Sequence, residues 1–209
     1  MTIVKTIPGD FNITNPSWPR YTLIRPGTIF TSDGFSATQA GPGQLTDATL
    51  GGVTYPWDIN ADGWVTDNGV LRHMAGGNLL MDLPFHEAHV ELKFVSNTVG
   101  DPWGFAMLRD GNNYLNGQLQ FLIKPDAIET RIIEVGGASR LMKLDMHAIS
   151  ASDVIGFRYK NKVASVEVNG ETISTSNIDV DPIGTHCGFT TLTGKVTNTE
   201  VDWLKITPL

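Results

Sequence analysis

Apolar and polar side chains alternate along many short segments of this chain. Within 89–94, Val90, Leu92 and Phe94 fall on one face of an extended backbone, and the polar side chains between them fall on the other. The segment 118–123 repeats the pattern with Leu119, Phe121 and Ile123 on one face. Such a period of two predicts strands with one buried face and one face in water.

Turn residues separate these strands. The segment 163–174 carries Asn169-Gly170 between two alternating runs, and Asn-Gly is the strongest short signal for a β-hairpin. Roughly a dozen strands with turns every 8–12 residues predict an antiparallel sandwich or jelly roll. The segment 144–153 is the one place where the pattern allows a short helical turn.

The first 32 residues have a different character. Pro8, Pro16, Pro19 and Pro26 interrupt every run before it reaches the length of a strand. We therefore expect an extended arm over residues 1–32, which anchors the chain or forms an interface, followed by a β-sandwich domain over 33–209. Apolar arm residues need a surface to cover, either on the domain or on a neighbouring subunit.

Composition narrows the class of protein. The 209 residues are 41% hydrophobic, enough for one sizeable core, and the formal net charge of −7 with no run of Lys or Arg argues against nucleic acid as a partner. No stretch has the length of a membrane helix, and the first residues lack the apolar core of a secretory signal. Cys187 has no second cysteine to pair with and is predicted to be a small buried residue, so we expect synthesis in the cytoplasm.

Several short motifs follow one another in a characteristic order. They are Asp33-Gly-Phe35, Trp64-Val-Thr-Asp67, Trp103-Gly-Phe-Ala-Met-Leu-Arg109, Gly156-Phe-Arg-Tyr159, Val166-Glu-Val-Asn-Gly170 and Val201-Asp-Trp-Leu-Lys-Ile206. With these motifs the chain resembles the concanavalin A-like lectin and glucanase sandwich over about residues 30–209. The resemblance is greatest to the version found in minor tail proteins of bacteriophages that infect actinobacteria.

This resemblance implies an all-β, antiparallel two-sheet jelly roll with one concave sheet that holds glycans or other subunits. It also implies a virion protein of the tail that is made in the host cytoplasm, contacts other tail proteins and a host-surface glycan, and assembles as a homo-oligomer such as a trimer. The fold occurs in both lectins and hydrolases, so the site has to decide the activity.

The hydrolytic branch is similar to enzymes with alternating acids on one strand. The nearest match here is Glu87-Ala-His89-Val-Glu91, in which histidine replaces the central acid. The two glutamates are separated by about 13 Å along a strand, whereas a retaining pair of carboxyl groups needs about 5 Å. We therefore predict the polar face of an amphipathic strand, and no enzyme.

A candidate calcium loop follows Trp57. Asp58, Asn60 and Asp62 precede Gly63 in the spacing that supplies three oxygen ligands and a sharp turn. The twelfth position of such a loop needs a carboxylate and is Gly69 here, so a polar turn is the alternative. No other cofactor is required by the motifs, and calcium is the candidate ion because every donor is an oxygen.

Flat aromatic rings beside turns suit the apolar faces of sugars. Trp57, Trp103 and Tyr114 are the candidate ligand-binding residues for this reason, while core packing is the alternative for each.

The leading hypothesis is a non-enzymatic structural or adhesion protein of a phage virion, specifically a minor tail protein. A stand-alone carbohydrate-binding module, a laminarinase-type glycoside hydrolase and a capsid decoration protein are the alternatives.

Overall fold

The structure, a computed structural model, describes most of the chain from residue 64 onward and short strands before it. The described residues are 11–12, 22–23, 30–32, 48–50, 53–55, 58–59, 64–67, 70–73, 77–83, 85–96, 102–111, 114–151, 153–179, 184–191 and 200–209.

The described residues form β-strands and a single 3₁₀ turn at Tyr114–Asn116. The strands are β1 (Phe11–Asn12), β2 (Thr22–Leu23), β3 (Phe30–Ser32), β4 (Ala48–Leu50), β5 (Val53–Tyr55), β6 (Asp58–Ile59), β7 (Trp64–Asp67), β8 (Val70–His73), β9 (Asn78–Asp82), β10 (Ala88–Ser96), β11 (Trp103–Arg109), β12 (Gln118–Ile123), β13 (Ala127–Ile133), β14 (Ser139–Met146), β15 (Val154–Lys160), β16 (Val163–Val168), β17 (Glu171–Asn177), β18 (His186–Thr191) and β19 (Glu200–Pro208).

Two large antiparallel sheets contain most of these strands. Sheet A has the order β17-β16-β15-β10-β19-β8-β7, and β3 also pairs with β19. Sheet B has the order β14-β13-β12-β11-β18-β9-β6. The two short pairs β1-β2 and β4-β5 stand outside both sheets. The sandwich confirms the predicted all-β, two-sheet jelly-roll class.

The core lies between the two sheets. Its residues are the apolar positions of the alternating strands, among them Val90, Leu92 and Phe94 of β10, all fully buried as predicted. Phe121 of sheet B stacks on Phe157 of sheet A, with ring centroids 4.4 Å apart and an interplanar angle of 12°. This contact joins the sheets directly, since aromatic pairs at this separation attract beyond the area they bury.

The predicted Asn-Gly hairpin is confirmed between β16 and β17. Asn169 and Gly170 have φ angles of 51° and 82°, the left-handed conformations that a two-residue turn of this kind requires. Asn169 Oδ1 accepts a hydrogen bond from the Val154 backbone N–H at 3.0 Å, and Asn169 Nδ2 donates to Asp153 Oδ1 at 3.0 Å. The side chain therefore ties the turn to the neighbouring strand β15.

Strand β14, at the edge of sheet B, has three apolar side chains on the outside, while Met142 packs against the core. The exposed apolar residues are Leu141 (47%), Leu144 (46%) and Met146 (71%), which pair with Arg131, Glu129 and Ala127 of β13. On the inner side, Arg140 forms an ion pair with Asp179 at 2.5 Å, and Asp145 accepts a hydrogen bond from Ser174 of sheet A. Charges therefore close this open side of the sandwich, as is common where an edge strand has to resist further pairing.

The structure can be compared with two further expectations from the sequence, the boundary of the arm and the position of a helical turn. Phe30–Ser32 pairs with β19, so the sandwich includes the last residues assigned to the arm, and most of residues 1–29 lie outside the described part of the chain. The helical turn that the pattern allows within 144–153 is not found in the described residues of that segment: β14 runs to Met146 and irregular backbone follows, while the 3₁₀ turn lies at Tyr114–Asn116. No helix in the described ranges is long and apolar enough to cross a membrane.

Candidate functional site

The outward face of sheet B is unusually well covered for the outside of a sandwich. Leu80, Ala106, Ala127 and Ile133 are 0%, 0%, 3% and 8% exposed, yet none belongs to the core cluster between the sheets. Their strand partners and the period of two place them on the outer face. Polar side chains on the same face are buried with them, which makes this face the candidate site.

A polar bridge crosses the middle of this face. Gln120 on β12 donates a hydrogen bond from Nε2 to Thr190 Oγ1 on β18 at 3.1 Å, passing over β11. A Cβ atom added to Gly104 on β11 would lie 2.8 Å from Thr190 Oγ1 and 2.9 Å from Gln120 Nε2. The absence of a side chain at Gly104 therefore leaves space for the hydrogen bond between Gln120 and Thr190. The small side chain of Ala106, two residues further along β11, leaves space on the same face.

One buried carboxylate lies beside the bridge. Glu129 on β13 is 5% exposed, and its two oxygens accept hydrogen bonds from Lys124 Nζ and, at 2.6 Å, from Arg131 Nε. Burial alone would raise the pKa of Glu129, but the hydrogen bonds and charges of Lys124 and Arg131 outweigh it and lower the pKa below its ordinary 4.5. Glu129 is therefore a fixed anion, and a general acid needs the opposite shift of its pKa.

Further polar groups are buried at the end of the face near the 3₁₀ turn. Gln118 is 3% exposed and Arg109 is 1% exposed, and Arg109 faces His186 across strands β11 and β18. Burial lowers the pKa of Arg109 to about 10, so the guanidinium remains a cation at neutral pH. The Gly111 backbone N–H donates to His186 Nδ1 at 3.3 Å, which leaves the proton of a neutral imidazole on Nε2.

The outer face of sheet A is organised differently. Its charged side chains are partly exposed and form cross-strand ion pairs, a pattern typical of a solvated sheet face. The ion pairs are Glu91–Lys205 (2.7 Å), Lys93–Asp202 (3.3 Å) and Arg72–Glu200 (2.6 Å), and His89 Nε2 lies 3.0 Å from Glu167 Oε2. We therefore assign the candidate site to sheet B.

The triplet Glu87, His89 and Glu91 falls on this solvated face of sheet A. Glu87 Oε1 accepts a hydrogen bond from the Asn161 backbone N–H at 2.7 Å, while His89 and Glu91 have the partners just described. Each of the three side chains therefore contacts a different partner, as expected for the polar face of an amphipathic strand.

Of the three predicted aromatic ligand residues, the structure describes the side chain of Trp103 alone. Trp103 is 0% exposed and lies in the core, with its ring 5.5 Å from Phe94 and 5.8 Å from Phe189, so no face of the indole is open to a ligand. The structure therefore does not support Trp103 as a binding residue and favours the core alternative. The backbone of Tyr114 begins the 3₁₀ turn, and Trp57 lies outside the described residues.

The candidate calcium ligands fall largely outside the described residues. The backbone of Asp58 begins β6 and pairs with Leu80, whereas Asn60 and Asp62 lie beyond the described ranges. Among the side chains that the structure describes, no group of three or more His, Cys, Asp or Glu is placed to hold a metal ion. Calcium at Asp58, Asn60 and Asp62 therefore stays a prediction.

The sequence did not single out Gln118, Gln120, Glu129 or Thr190. Alternation identified Gln118 and Gln120 as outward polar positions, and outward positions were expected to be wet. Which outward face is buried depends on which strands lie close together, as in the side-chain contact between Gln120 and Thr190, 70 residues apart, and no local pattern encodes that arrangement.

Comparison with known proteins shows likeness of fold. No protein family and no curated protein matches the sequence. The β-glucanase of Bacillus licheniformis has a TM-score of 0.58 at 13% identity over 87% of this chain and 98% of its own. A β-1,3-1,4-glucanase from a mouse hindgut metagenome has a TM-score of 0.55 at 12% identity over 87% and 100%.

A carbohydrate-binding module shares the same fold. The carbohydrate-binding module CBM66 from Bacillus subtilis has a TM-score of 0.52 at 10% identity over 70% of this chain and 91% of its own. Glucanases and a binding module are therefore similar to this chain to a comparable degree. The chain has the jelly-roll sandwich fold that these carbohydrate-active proteins share.

Proposed function

We propose that this chain is a carbohydrate-binding protein without hydrolytic activity, and that it binds glycan on the outer face of sheet B. The observation that carries the proposal is the set of buried polar side chains on that face: Gln118, Glu129 and Thr190 are 3%, 5% and 3% exposed. Polar groups are costly to bury unless they have a partner, and Gln118 Oε1 has none among the described residues, so it is an acceptor that a ligand hydroxyl can satisfy. Glucanases and a carbohydrate-binding module with this fold support the choice of ligand.

The absence of hydrolysis is proposed from the carboxylates. Glycoside hydrolysis uses two carboxyl groups, one of which acts as an acid with a raised pKa. On the described outer face of sheet B, Glu129 has a lowered pKa and both of its oxygens are occupied by cations. Strand β12 presents the amides of Gln118 and Gln120 at alternate positions of the same face, and an amide cannot act as the acid or the nucleophile of such a reaction.

Binding and turnover are tested on the same polysaccharides. The purified chain is titrated with soluble β-1,3-1,4-glucan, β-1,3-glucan and polygalacturonate by calorimetry, and release of reducing ends is followed over a day. We expect saturable binding to at least one polysaccharide and no release of reducing ends. Release that disappears in Glu129→Gln would establish a hydrolase, and lack of binding across these probes and a glycan array would refute the proposed function.

We further propose that the domain works in a phage virion as a minor tail protein, which the order of the sequence motifs supports. In that setting the segment 1–32 anchors a homo-oligomer, such as a trimer, to other tail proteins while the sandwich contacts a host-surface glycan. The chain should then copurify with virions, and deletion of residues 1–30 should abolish incorporation. Immunogold labelling on heads instead of tails would favour the capsid decoration alternative, and light scattering measures the oligomeric state.

Calcium binding at Asp58, Asn60 and Asp62 is tested separately. The change Asp62→Asn should weaken calcium binding measured by calorimetry, because it removes a charged ligand. Equal heats for both proteins would remove calcium from the proposal.

A further inference from the structure

Two amide side chains follow one another on the outer face of β12. Gln118 and Gln120 are two positions apart, so their Cα atoms are separated by about 7 Å and both side chains leave the same face of the strand. Leu119 and Phe121, the residues on either side of Gln120, are fully buried in the core. The pair therefore belongs to the proposed glycan-binding face.

The carbonyl of Gln118 is buried without a partner. Gln118 Oε1 is closed to solvent and accepts no hydrogen bond from the residues that the structure describes. An unsatisfied buried acceptor costs about 1–3 kcal/mol, so the carbonyl of Gln118 does not stabilise the free protein. Trp103 Nε1 is also unpartnered, but it lies between the sheets, whereas Gln118 lies on the outer face.

The carboxamide of Gln120 is already oriented. Its Nε2 is held by Thr190 Oγ1 at 3.1 Å above the bare backbone of Gly104, and its Oε1 has no partner among the described residues. The residue is partly exposed. A side chain held in place before binding loses less conformational entropy when a ligand arrives.

The charged groups nearest to Gln120 contact one another. Glu129 pairs with both Lys124 and Arg131, so this cluster has one more cation than anion, but each of the two cations already has a carboxylate oxygen as partner. Two amide carbonyls require hydrogen-bond donors, which sugar hydroxyls supply without charge. A neutral sugar therefore suits this part of the face best.

We propose that Gln118 and Gln120 accept hydrogen bonds from hydroxyl groups of a neutral sugar, and that Thr190 is the positioning residue that orients Gln120. This inference rests on the proposed carbohydrate-binding function. Gln118 reaches the ligand by rotation about its side-chain bonds, since its carbonyl is covered in the free protein.

The change Gln118→Met separates binding from structure. Methionine has a similar length and removes the unpartnered carbonyl, so the melting temperature should stay the same or rise while affinity for β-1,3-1,4-glucan falls roughly tenfold. If Gln118 were a structural residue, the melting temperature would fall and affinity would hold. That result would overturn the role of Gln118.

Thr190 is tested by an isosteric and a conservative change. Thr190→Val removes the hydroxyl that orients Gln120 and should weaken glucan binding by roughly threefold to tenfold, and Thr190→Ser should restore it. Gln120→Met should lower affinity by at least as much. The matched control is Thr175→Val on the exposed edge strand β17, which should bind as the unchanged chain does.

The class of sugar is tested with salt and an acidic probe. Affinity for β-1,3-1,4-glucan should be the same at low and high ionic strength, and polygalacturonate should not bind. Binding of polygalacturonate alone would keep the carbohydrate function and overturn the neutral-sugar inference. Equal affinity of all the variants would overturn the assignment of these residues, and lack of any glycan binding would overturn both proposals.

Discussion

At the scale of single residues, the outer face of sheet B combines full burial with ionisation. Glu129 keeps its charge there because each oxygen has a cationic donor, so it acts as a structural anion between β12 and the edge of the sheet. Cys187 shows the opposite solution, since burial raises the pKa of its thiol and keeps it neutral as the sequence analysis expected.

Replacement of the Glu129 charge should destabilise the fold. Glu129→Gln leaves Lys124 and Arg131 without their anion, and we expect a loss of about 1–3 kcal/mol in the free energy of unfolding at pH 7. Because folding lowers the pKa of Glu129, its contribution is present above the ordinary value of 4.5 and is lost as pH falls through the folded pKa. Urea titrations at pH 7 and below pH 4 should show the difference shrinking in acid, and Glu171→Gln on the exposed edge strand is the control.

Close backbone packing should make Gly188 intolerant of any side chain. An added Cβ would lie 2.1 Å from the Leu79 carbonyl oxygen, and the φ of 152° is unfavourable for other residues. Gly188→Ala should therefore cost more than about 3 kcal/mol or prevent folding. Gly136→Ala is the matched change, since its φ is 95° with nothing within 4 Å, and it should cost only about 1 kcal/mol by thermal unfolding. If Gly188→Ala and Gly136→Ala lowered the free energy of unfolding equally, the strand would have shifted to relieve the contact between the new Cβ and Leu79.

At the scale of elements, the sequence predicts the β16-β17 hairpin but not the orientation of the edge strand β14. The β16-β17 hairpin was predicted from its turn residues, because Asn169-Gly170 selects one turn type and the turn sets the register. The outward apolar side chains of β14 were not predicted, because a period of two states which residues share a face and leaves open which face meets the core. On the inner side, the ion pair of Arg140 with Asp179 and the hydrogen bond that Asp145 accepts from Ser174 favour the observed orientation.

The link between the hairpin turn and β15 can be weakened by charge. Asn169→Asp keeps an acceptor for the Val154 N–H but places a carboxylate against Asp153 Oδ1, which now accepts from Asn169 Nδ2 at 3.0 Å. We expect a loss of about 1–2 kcal/mol at pH 7 that becomes smaller below about pH 4, when carboxylates become protonated. Asn177→Asp at the end of β17 is the control in thermal unfolding. A loss that does not depend on pH would point to turn geometry instead of repulsion.

At the scale of the whole molecule, one core cluster draws residues from both sheets, so the sandwich should unfold as a unit. The strands and the sandwich class were predictable because alternation, turn residues and motif order are local. The site was not, because it depends on which strands become neighbours. The burial of Trp103 could have been predicted. Trp103, Phe105 and Met107 are alternate residues of β11 and therefore share one face, and this apolar face is the one that packs in the core.

Removal of the inter-sheet aromatic contact should affect both sheets together. Phe121→Ala leaves a cavity against Phe157 and should cost about 3–5 kcal/mol. Urea unfolding followed by tryptophan fluorescence and by far-ultraviolet circular dichroism should give one shifted midpoint. Val135→Ala at an exposed turn is the control. Two separate midpoints would show that the sheets unfold independently.

The position of β19 has a consequence for biosynthesis. This strand lies inside sheet A between β10 and β8, and its residues 200–208 follow all of its partners in the chain. Until residues 200–208 have been synthesised, β10 exposes an open edge and a row of apolar side chains that β19 later covers. The nascent polypeptide is therefore most vulnerable to misassembly just before this segment emerges from the exit tunnel, the stage at which a chaperone would protect it.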